Sequence, residues 1–165
     1  MKNHGLGIPK GNIVNLEGRG NFFNERFTRK LKEYHNCKVF ALVDLYPKIE
    51  GCEKPDQVKE RLKKWAGGHS DFHPFVAVHD IEAWILGDEE MVRDYLRGLR
   101  FTFPHNPEAI DFDRPPKKYL SELFRKCDRN YKETVDGVNL LARIRPDRVA
   151  SVCPSFKEFW TAITK

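Results

Sequence analysis

The sequence lacks long apolar segments, low-complexity tracts and any cysteine pattern typical of a zinc or disulfide protein. Its longest apolar run is Val39 to Val43, far below the ~20 residues that a membrane-spanning helix needs. The four cysteines form no C-x-x-C pair, so we expect reduced thiols. The opening MKNHGLGIPKG lacks the apolar centre of a signal peptide. These absences predict a cytoplasmic protein without a membrane span.

The size and composition of the chain are those of one globular domain. It has 165 residues, of which 40% are hydrophobic and 32% charged, and we expect a single domain over residues 1–165. The net charge of +5 is modest, and the basic residues fall in short groups mixed with acidic ones. Such groups can contact the phosphates of nucleic acid. Solvated helix faces have the same composition, so both explanations stay open.

The first half of the chain alternates strand-like and helix-like segments. NIVNL at 12–16, CKVFALVDLY and HPFVAV predict strands. NFFNERFTRKLKEY and DQVKERLKKWAGG have the periodicity of amphipathic helices. Because such alternation is typical of parallel βαβ units, we predict a three-layer α/β domain with a mainly parallel sheet and helices on both faces.

The second half is predicted to be mostly helical. Helices are expected from IEAWILGD onward and over about 89–99, 117–126, 134–143, 146–152 and 155–163, with a proline-broken loop, FPHNPEAIDFDRPP, after the second of them. Phe156, Phe159 and Trp160 are expected to pack the last helix onto the sheet rather than to stack on bases. Tyr131 and Lys132 receive no assignment.

Acidic residues follow two of the predicted strands. Asp44 follows VFALV, and His79, Asp80 and Glu82 follow FVAV. Ligands gather at the carboxyl ends of strands in an open α/β sheet, and neighbouring strands lie about 4.8 Å apart. If these strands are neighbours, the carboxylates can converge, and their mutual repulsion favours a divalent cation. Magnesium is the leading candidate because it takes oxygen ligands and keeps several waters.

A structural explanation of the same residues stays open. Asp80 is a good N-cap and Glu82 a favourable first-turn residue. Side chains two apart on a helix point about 200° apart, so Asp80 and Glu82 can share an ion only if Asp80 precedes the helix. Asp44 and Glu82 are therefore the stronger pair of candidate metal ligands. His79 is a candidate metal ligand, acid/base or phosphate donor, or else a structural residue bonded to the backbone.

A functional and a structural explanation are also both open for Glu17, Lys117 and Lys118. Glu17, at the end of the first predicted strand, is either a third acid of the site or an ordinary turn carboxylate, and the residue types favour the turn. Pro115 and Pro116 can fix a loop that enters a helix. Lys117 and Lys118 after them are either simply exposed or in contact with phosphate near the active edge.

Four segments together resemble the family known as domain of unknown function 4276. Members carry a strand ending in D-[LF]-Y, a phvxxHEfEAllf block, a PexI...PPSK stretch and a closing R..CP.F..W. The matching segments, in the same order, are VFALVDLYP, HPFVAVHDIEAWILGD, PEAIDFDRPPKKYL and CPSFKEFW. HDIEAW is the most specific of these matches.

The family is grouped with Toprim-like domains, the metal-binding α/β modules of topoisomerases, primases and the nucleases that accompany phage-defence ATPases. The resemblance implies a nuclease-like fold that binds Mg²⁺ or Mn²⁺, with Asp44 as the first acid of the D-x-D element. Glu82 corresponds to the second acid of the H-E-x-E-A block, and Asp80 replaces the first. Nucleic acid as substrate and an ATPase as partner are further implications.

The sequence departs from a Toprim site at two places. Tyr46 occupies the second position of D-x-D, so one metal ligand is missing. Toprim domains open with a strand ending in a catalytic glutamate, and NIVNLEGRGNFFNERF is either that motif, with Glu17 as general acid/base, or the second strand. In the second case, which the spacing favours, the first strand and its glutamate precede Met1 or are absent.

Three functions are consistent with these residues. The first is a magnesium-dependent nuclease that acts beside an ATPase in phage defence. The second is a Toprim-like adaptor or binding module that has lost its general base. The third is a phosphatase of small phosphate esters, since a carboxylate-magnesium site does not by itself select a polymer.

Overall fold

The computed structural model describes residues 13–46, 54–97 and 100–165. At its centre two strands, β1 (Val39–Asp44) and β2 (Phe72–Ala77), run parallel, with Asp44 opposite Ala77. A 3₁₀ turn (Arg19–Phe23) and α1 (Glu25–Glu33) precede β1, and α2 (Pro55–Trp65) lies between the two strands in the chain. The predicted parallel βαβ unit is confirmed.

In the described residues after β2 the regular structure is helical, as predicted. The elements are α3 (Glu82–Leu86), α4 (Glu89–Tyr95), a 3₁₀ turn (Pro107–Ala109), α5 (Pro116–Arg125), a π-helical turn (Glu133–Gly137), α6 (Val138–Leu141), α7 (Pro146–Val152) and α8 (Pro154–Ile163). Proline opens α5, α7 and α8. An N–H at the first position of a helix would have no partner within the helix, so proline loses no hydrogen bond there. The fixed φ of proline also suits a helix.

The side chains of β1 alternate between two apolar cores, as the pleat of a strand requires. Val43 belongs to a core with α1 and α2, whereas Leu42 packs against a second core around Trp84. Phe159 of α8 contacts Phe75 of β2 edge-on, with 5.4 Å between ring centroids. Helices therefore cover both faces of the strand pair, and the predicted packing of the last helix is confirmed.

The amino-terminal part differs from the prediction. Residues 13–16 of the expected strand NIVNL are irregular, and Asn12 lies outside the described residues. The Asn15 side chain accepts the N–H of Glu17 at 2.8 Å, and the Asn21 side chain donates to the Leu16 carbonyl at 2.6 Å. These local bonds satisfy backbone groups that a strand would pair with a neighbour.

The sheet of the described residues has two strands, which is narrower than the sheet predicted from the Toprim resemblance. Residues 47–53, which follow β1, and residues 98–99 of a predicted helix lie outside the described residues. No helix within the described ranges is long and apolar enough to cross a membrane. The predicted cytoplasmic location itself stays a prediction.

The cysteines that the structure describes are Cys37, Cys127 and Cys153, and all three are free thiols. Cys153 is buried, whereas Cys37 is exposed. Cys52 lies outside the described residues. The expectation of reduced thiols is therefore met by the three that are described.

Candidate functional site

Three acidic residues lie at the carboxyl edge of the strand pair. Asp44 is the last residue of β1, Asp80 follows β2, and Glu82 is the first residue of α3. Asp80 thus precedes the helix, which is the condition under which it can share an ion with Glu82. Asp80 and Glu82 are only 4% and 2% exposed. The sequence therefore identified acids that lie at one edge of the sheet, of which Asp80 and Glu82 are buried and Asp44 is half-buried.

A turn with unusual backbone geometry connects β2 to these acids. His79 has a φ of 65°, in the left-handed region that residues other than glycine rarely adopt. Its carbonyl accepts the N–H of Tyr46 at 2.5 Å and so extends the strand pairing beyond β1. The turn places Asp80 and Glu82 beside the end of β1 rather than above β2 alone.

The His79 side chain is buried inside this turn. Its ring centroid lies 4.2 Å from that of Phe112, and the ring bonds to the main chain of Ile110. Burial lowers the pKa of His79, which keeps the ring neutral near pH 7. These contacts are those of the structural alternative, and a catalytic role of His79 stays a prediction.

Burial has the largest effect on the ionisation of the three acids, and the charge of Glu82 adds to it at Asp44 and Asp80. Burial, followed by the charge of Glu82, raises the pKa of Asp80 to about 7 and that of Asp44 to about 6. Burial also raises the pKa of Glu82. The charge of Arg19 lowers the pKa of Asp44 without offsetting these effects. The cluster is thus costly to ionise fully when no cation is bound.

Asp80 is incompletely hydrogen-bonded. Its Oδ2 accepts the main-chain N–H of Lys117 at 3.3 Å, but its buried Oδ1 has no partner among the described residues. The N-cap of α3 is Ile81, without a side-chain cap bond, so the interpretation of Asp80 as the N-cap of this helix is wrong. Buried carboxylate oxygens are normally paired, and the free Oδ1 is therefore a candidate ligand atom.

Two residues of a distant segment complete the surroundings of the acids. The hydroxyl of Tyr131 donates to Glu82 Oε1 at 3.0 Å. Glu133 accepts a hydrogen bond from the Lys117 ammonium group, and its charge raises the pKa of both Asp44 and Glu82. The sequence pattern did not identify these residues, because they belong to no recognisable motif and approach the acids only through packing.

Among the predicted phosphate-binding and catalytic residues, Lys117 alone contacts the acid cluster. Lys118 is exposed, and its charge acts on Glu122. Glu17 lies on an exposed turn with a φ of 59°, and its carboxylate is 3.0 Å from the guanidinium of Arg26. The structure therefore brings Asp44, Asp80, Glu82 and Lys117 together, while Glu17 and Lys118 make their contacts elsewhere.

The three acids of the cluster offer carboxylate oxygens, the type of donor that a hard divalent cation prefers. Magnesium prefers carboxylate oxygens, and one or two suffice when waters or phosphates supply the rest. The part of the chain that the structure describes contains no group of three or more His, Cys, Asp or Glu side chains arranged as a ready metal centre. Asp44 and Glu82, with Asp80 beside them, would hold such an ion together with water or phosphate oxygens.

The fold and the site define an α/β protein whose parallel strand pair carries a cluster of buried acids at its carboxyl edge. The model of the family described as Domain of unknown function (DUF4276) matches residues 10–164, and the chain belongs to this family. Comparison with curated proteins and with solved structures gives no match. The description of the family names no activity, so the chemistry has to be inferred from the residues.

Proposed function

We propose that the protein is a magnesium- or manganese-dependent Toprim-like nuclease, with Asp44 and Glu82 as cation ligands and Asp80 assisting. The observation that supports this proposal is the cluster itself, in which burial and the charge of Glu82 raise the pKa of Asp44 and Asp80, and one Asp80 oxygen has no partner among the described residues. Acids with a purely structural role are normally paired with a cation or fully hydrogen-bonded. A bound divalent cation is the most economical compensation.

Each residue of the site has its own task in this proposal. Asp44 presents a carboxylate from the end of a strand, and Glu82 presents one from the start of a helix, so both come from rigid elements. A magnesium ion held there would supply Lewis-acid polarisation of a phosphodiester oxygen. The Lys117 side chain, about half exposed and paired with Glu133, offers a positive charge to a phosphate next to the scissile one.

Nucleic acid is proposed as the substrate because the residues resemble those of Toprim-like nucleases and because Lys117 and Lys118 expose positive charge on α5. An ATPase partner in phage defence is proposed from the resemblance alone. The same resemblance supports the proposal that the βαβ unit is related to that of Toprim domains.

Cleavage of supercoiled plasmid and of RNA, with Mg²⁺ or Mn²⁺, tests the proposal. Asp44→Asn and Glu82→Gln remove the charges with little change of shape, and each should lower cleavage by about 100-fold or more. Glu60→Gln is the matched control, because Glu60 is exposed and pairs with Lys63 on α2. Equal activity of the wild type and all three variants would refute the assignment of Asp44 and Glu82.

A specific observation favours a second candidate, a Toprim-like binding or adaptor module without turnover. Glu17 pairs with Arg26 on an exposed turn, and His79 is buried against Phe112, so neither presents an obvious general base to a substrate. This candidate predicts no metal-dependent cleavage. It also predicts retained nucleic-acid binding whose logarithm falls linearly with the logarithm of the salt concentration, which fluorescence anisotropy would measure.

A further inference from the structure

We propose that Tyr131 is a positioning residue that orients the Glu82 carboxylate, and that Gly137 makes room for the Tyr131 hydroxyl. The inference rests on the proposed function, because it concerns Glu82 as a cation ligand. The hydroxyl lies 3.0 Å from Glu82 Oε1, and Glu82 is only 2% exposed. A donor at this distance fixes the rotamer of the carboxylate before any cation binds.

The position of Tyr131 is set by contacts that do not involve Glu82. Its ring lies edge-on to that of Phe124, with 5.2 Å between centroids, and Phe124 is completely buried in the helical core. The next residue, Lys132, donates its N–H to Asp136 at 2.9 Å, and Tyr95 donates its hydroxyl to the same carboxylate at 2.9 Å. The segment that contains Tyr131 is therefore held in place by contacts of its own, and these contacts place the hydroxyl beside Glu82.

Gly137 is explained by this contact and not by its backbone conformation. Its φ of −58° and ψ of −47° are ordinary helical values, which any residue can adopt. A Cβ at this position would lie 2.7 Å from the Tyr131 hydroxyl oxygen, and the next atom, Tyr131 Cζ, would lie at 3.7 Å. Among the described residues, the hydroxyl is the one atom that excludes a side chain here.

The π-helical turn from Glu133 to Gly137 closes the segment that contains both residues. Such turns are rare and occur frequently at functional sites. In this protein the turn carries Glu133, the partner of Lys117, at one end and Gly137 at the other. The whole segment therefore borders the acid cluster through two separate contacts.

Calorimetric titration with Mn²⁺ tests the role of Tyr131. Tyr131→Phe keeps the ring on Phe124 and should weaken Mn²⁺ binding about tenfold, the usual effect of losing an outer-shell partner of a metal ligand. Tyr119→Phe is the matched control, because its hydroxyl donates to the Thr102 carbonyl; its affinity for Mn²⁺ should equal that of the wild type. Glu82→Gln should abolish most of the binding.

The outcomes separate this inference from the proposed function. If Glu82→Gln loses Mn²⁺ and Tyr131→Phe binds as tightly as the wild type, the positioning role is wrong and the cation site remains. If the wild type does not bind Mn²⁺, or Glu82→Gln binds it equally well, both are wrong. A general loss of structure is recognised by the melting temperature in EDTA, which Tyr131→Phe should change by no more than Tyr119→Phe does.

A thermal stability cycle tests the contact with Gly137 without any metal. Gly137→Ala should lower the melting temperature of the wild type by about 3 °C or more, because the new methyl group meets the Tyr131 hydroxyl. In the Tyr131→Phe background the same substitution should cause no loss. Gly137→Ala alone should also weaken Mn²⁺ binding, since it displaces the hydroxyl from Glu82. An equal loss of stability in both backgrounds, or wild-type affinity of Gly137→Ala for Mn²⁺, would contradict the inference.

Discussion

Asp80 and Asp88 are two buried acids of the same segment with opposite surroundings. Both are nearly inaccessible, at 4% and 1% exposed. Asp88 accepts the main-chain N–H of Arg145 at 2.8 Å and its Nε–H at 2.9 Å, and it caps α4 through the N–H of Met91 at 3.3 Å. Asp80 accepts one N–H, that of Lys117, and keeps an unpaired oxygen within the described residues.

The consequence of this difference is visible in the ionisation of the two acids. Burial alone would raise the pKa of Asp88, but its hydrogen bonds with Arg145 lower it below the ordinary value. Burial and the charge of Glu82 raise the pKa of Asp80 to about 7. Asp88, which ties α4 to the start of α7, is therefore compensated by its partners. Asp80, in the candidate site, has one main-chain N–H as its partner among the described residues.

The pH dependence of stability should separate the two kinds of acid most strongly. Because their pKa values are raised, Asp44 and Asp80 contribute fully to the free energy of unfolding below about pH 4. This contribution is lost as the pH rises through about 6 and 7. The lowered pKa values of His79 and Asp88 have the opposite effect, with stability lost as the pH falls.

The quantity to measure is therefore the difference in the free energy of unfolding between the wild type and the double variant Asp44→Asn/Asp80→Asn. In urea unfolding without divalent cations, the variant should gain about 6 kcal/mol on the wild type between pH 4 and pH 8, the sum of the two shifts. Saturating Mg²⁺ at pH 8 should reduce this gain, since it stabilises only the protein with intact ligands. Parallel pH profiles would show that the two acids ionise normally.

Asp88→Asn should lower the free energy of unfolding by about 2 kcal/mol at pH 7. The substitution weakens the charge-assisted bonds with Arg145 and replaces an acceptor by a donor on one side of a buried group. Urea unfolding with tryptophan fluorescence measures the change. A loss below about 0.5 kcal/mol would show that Asp88 is not the compensated structural acid described above.

Asp80→Asn is the matched substitution and should have the opposite sign. It should raise the free energy of unfolding by about 1 kcal/mol at pH 8 without divalent cations, because it removes a buried charge and can keep the bond to the Lys117 N–H. The same urea titration applies. If Asp80→Asn and Asp88→Asn destabilise equally, the contrast between the two acids does not exist.

The smallest expected effect concerns the two lysines at the start of α5. Lys117→Gln should reduce the slope of the logarithm of nucleic-acid affinity against the logarithm of salt by about one, as expected for the loss of one phosphate contact. Lys118→Gln removes the charge at the next position of the helix, which lies near Glu122, and is the comparison. Anisotropy titrations at several salt concentrations measure both, and a slope of Lys117→Gln equal to that of the wild type would argue against phosphate contact by Lys117.

Local pattern was sufficient for part of the candidate site. Asp44 and the HDIE segment follow apolar runs long enough to be strands, and the carboxyl ends of adjacent parallel strands lie at one edge, so their proximity could be predicted. The local sequence pattern was not sufficient to predict the structure of residues 12–16, for which a strand is expected. Its β-branched residues favour a strand, but the side chains of Asn15 and Asn21 satisfy the backbone locally.

By itself the sequence determined the order of strands and helices from α1 onward, the parallel βαβ unit and the place of three acids at its edge, because these depend on periodicity over short stretches. Tertiary structure alone decided which acids are compensated: Arg145 donates to Asp88, Tyr131 donates to Glu82, and Asp80 receives a single main-chain bond from the residues that the structure describes. These contacts join residues far apart in the chain. Their formation depends on how the helices pack, and no local pattern encodes that packing.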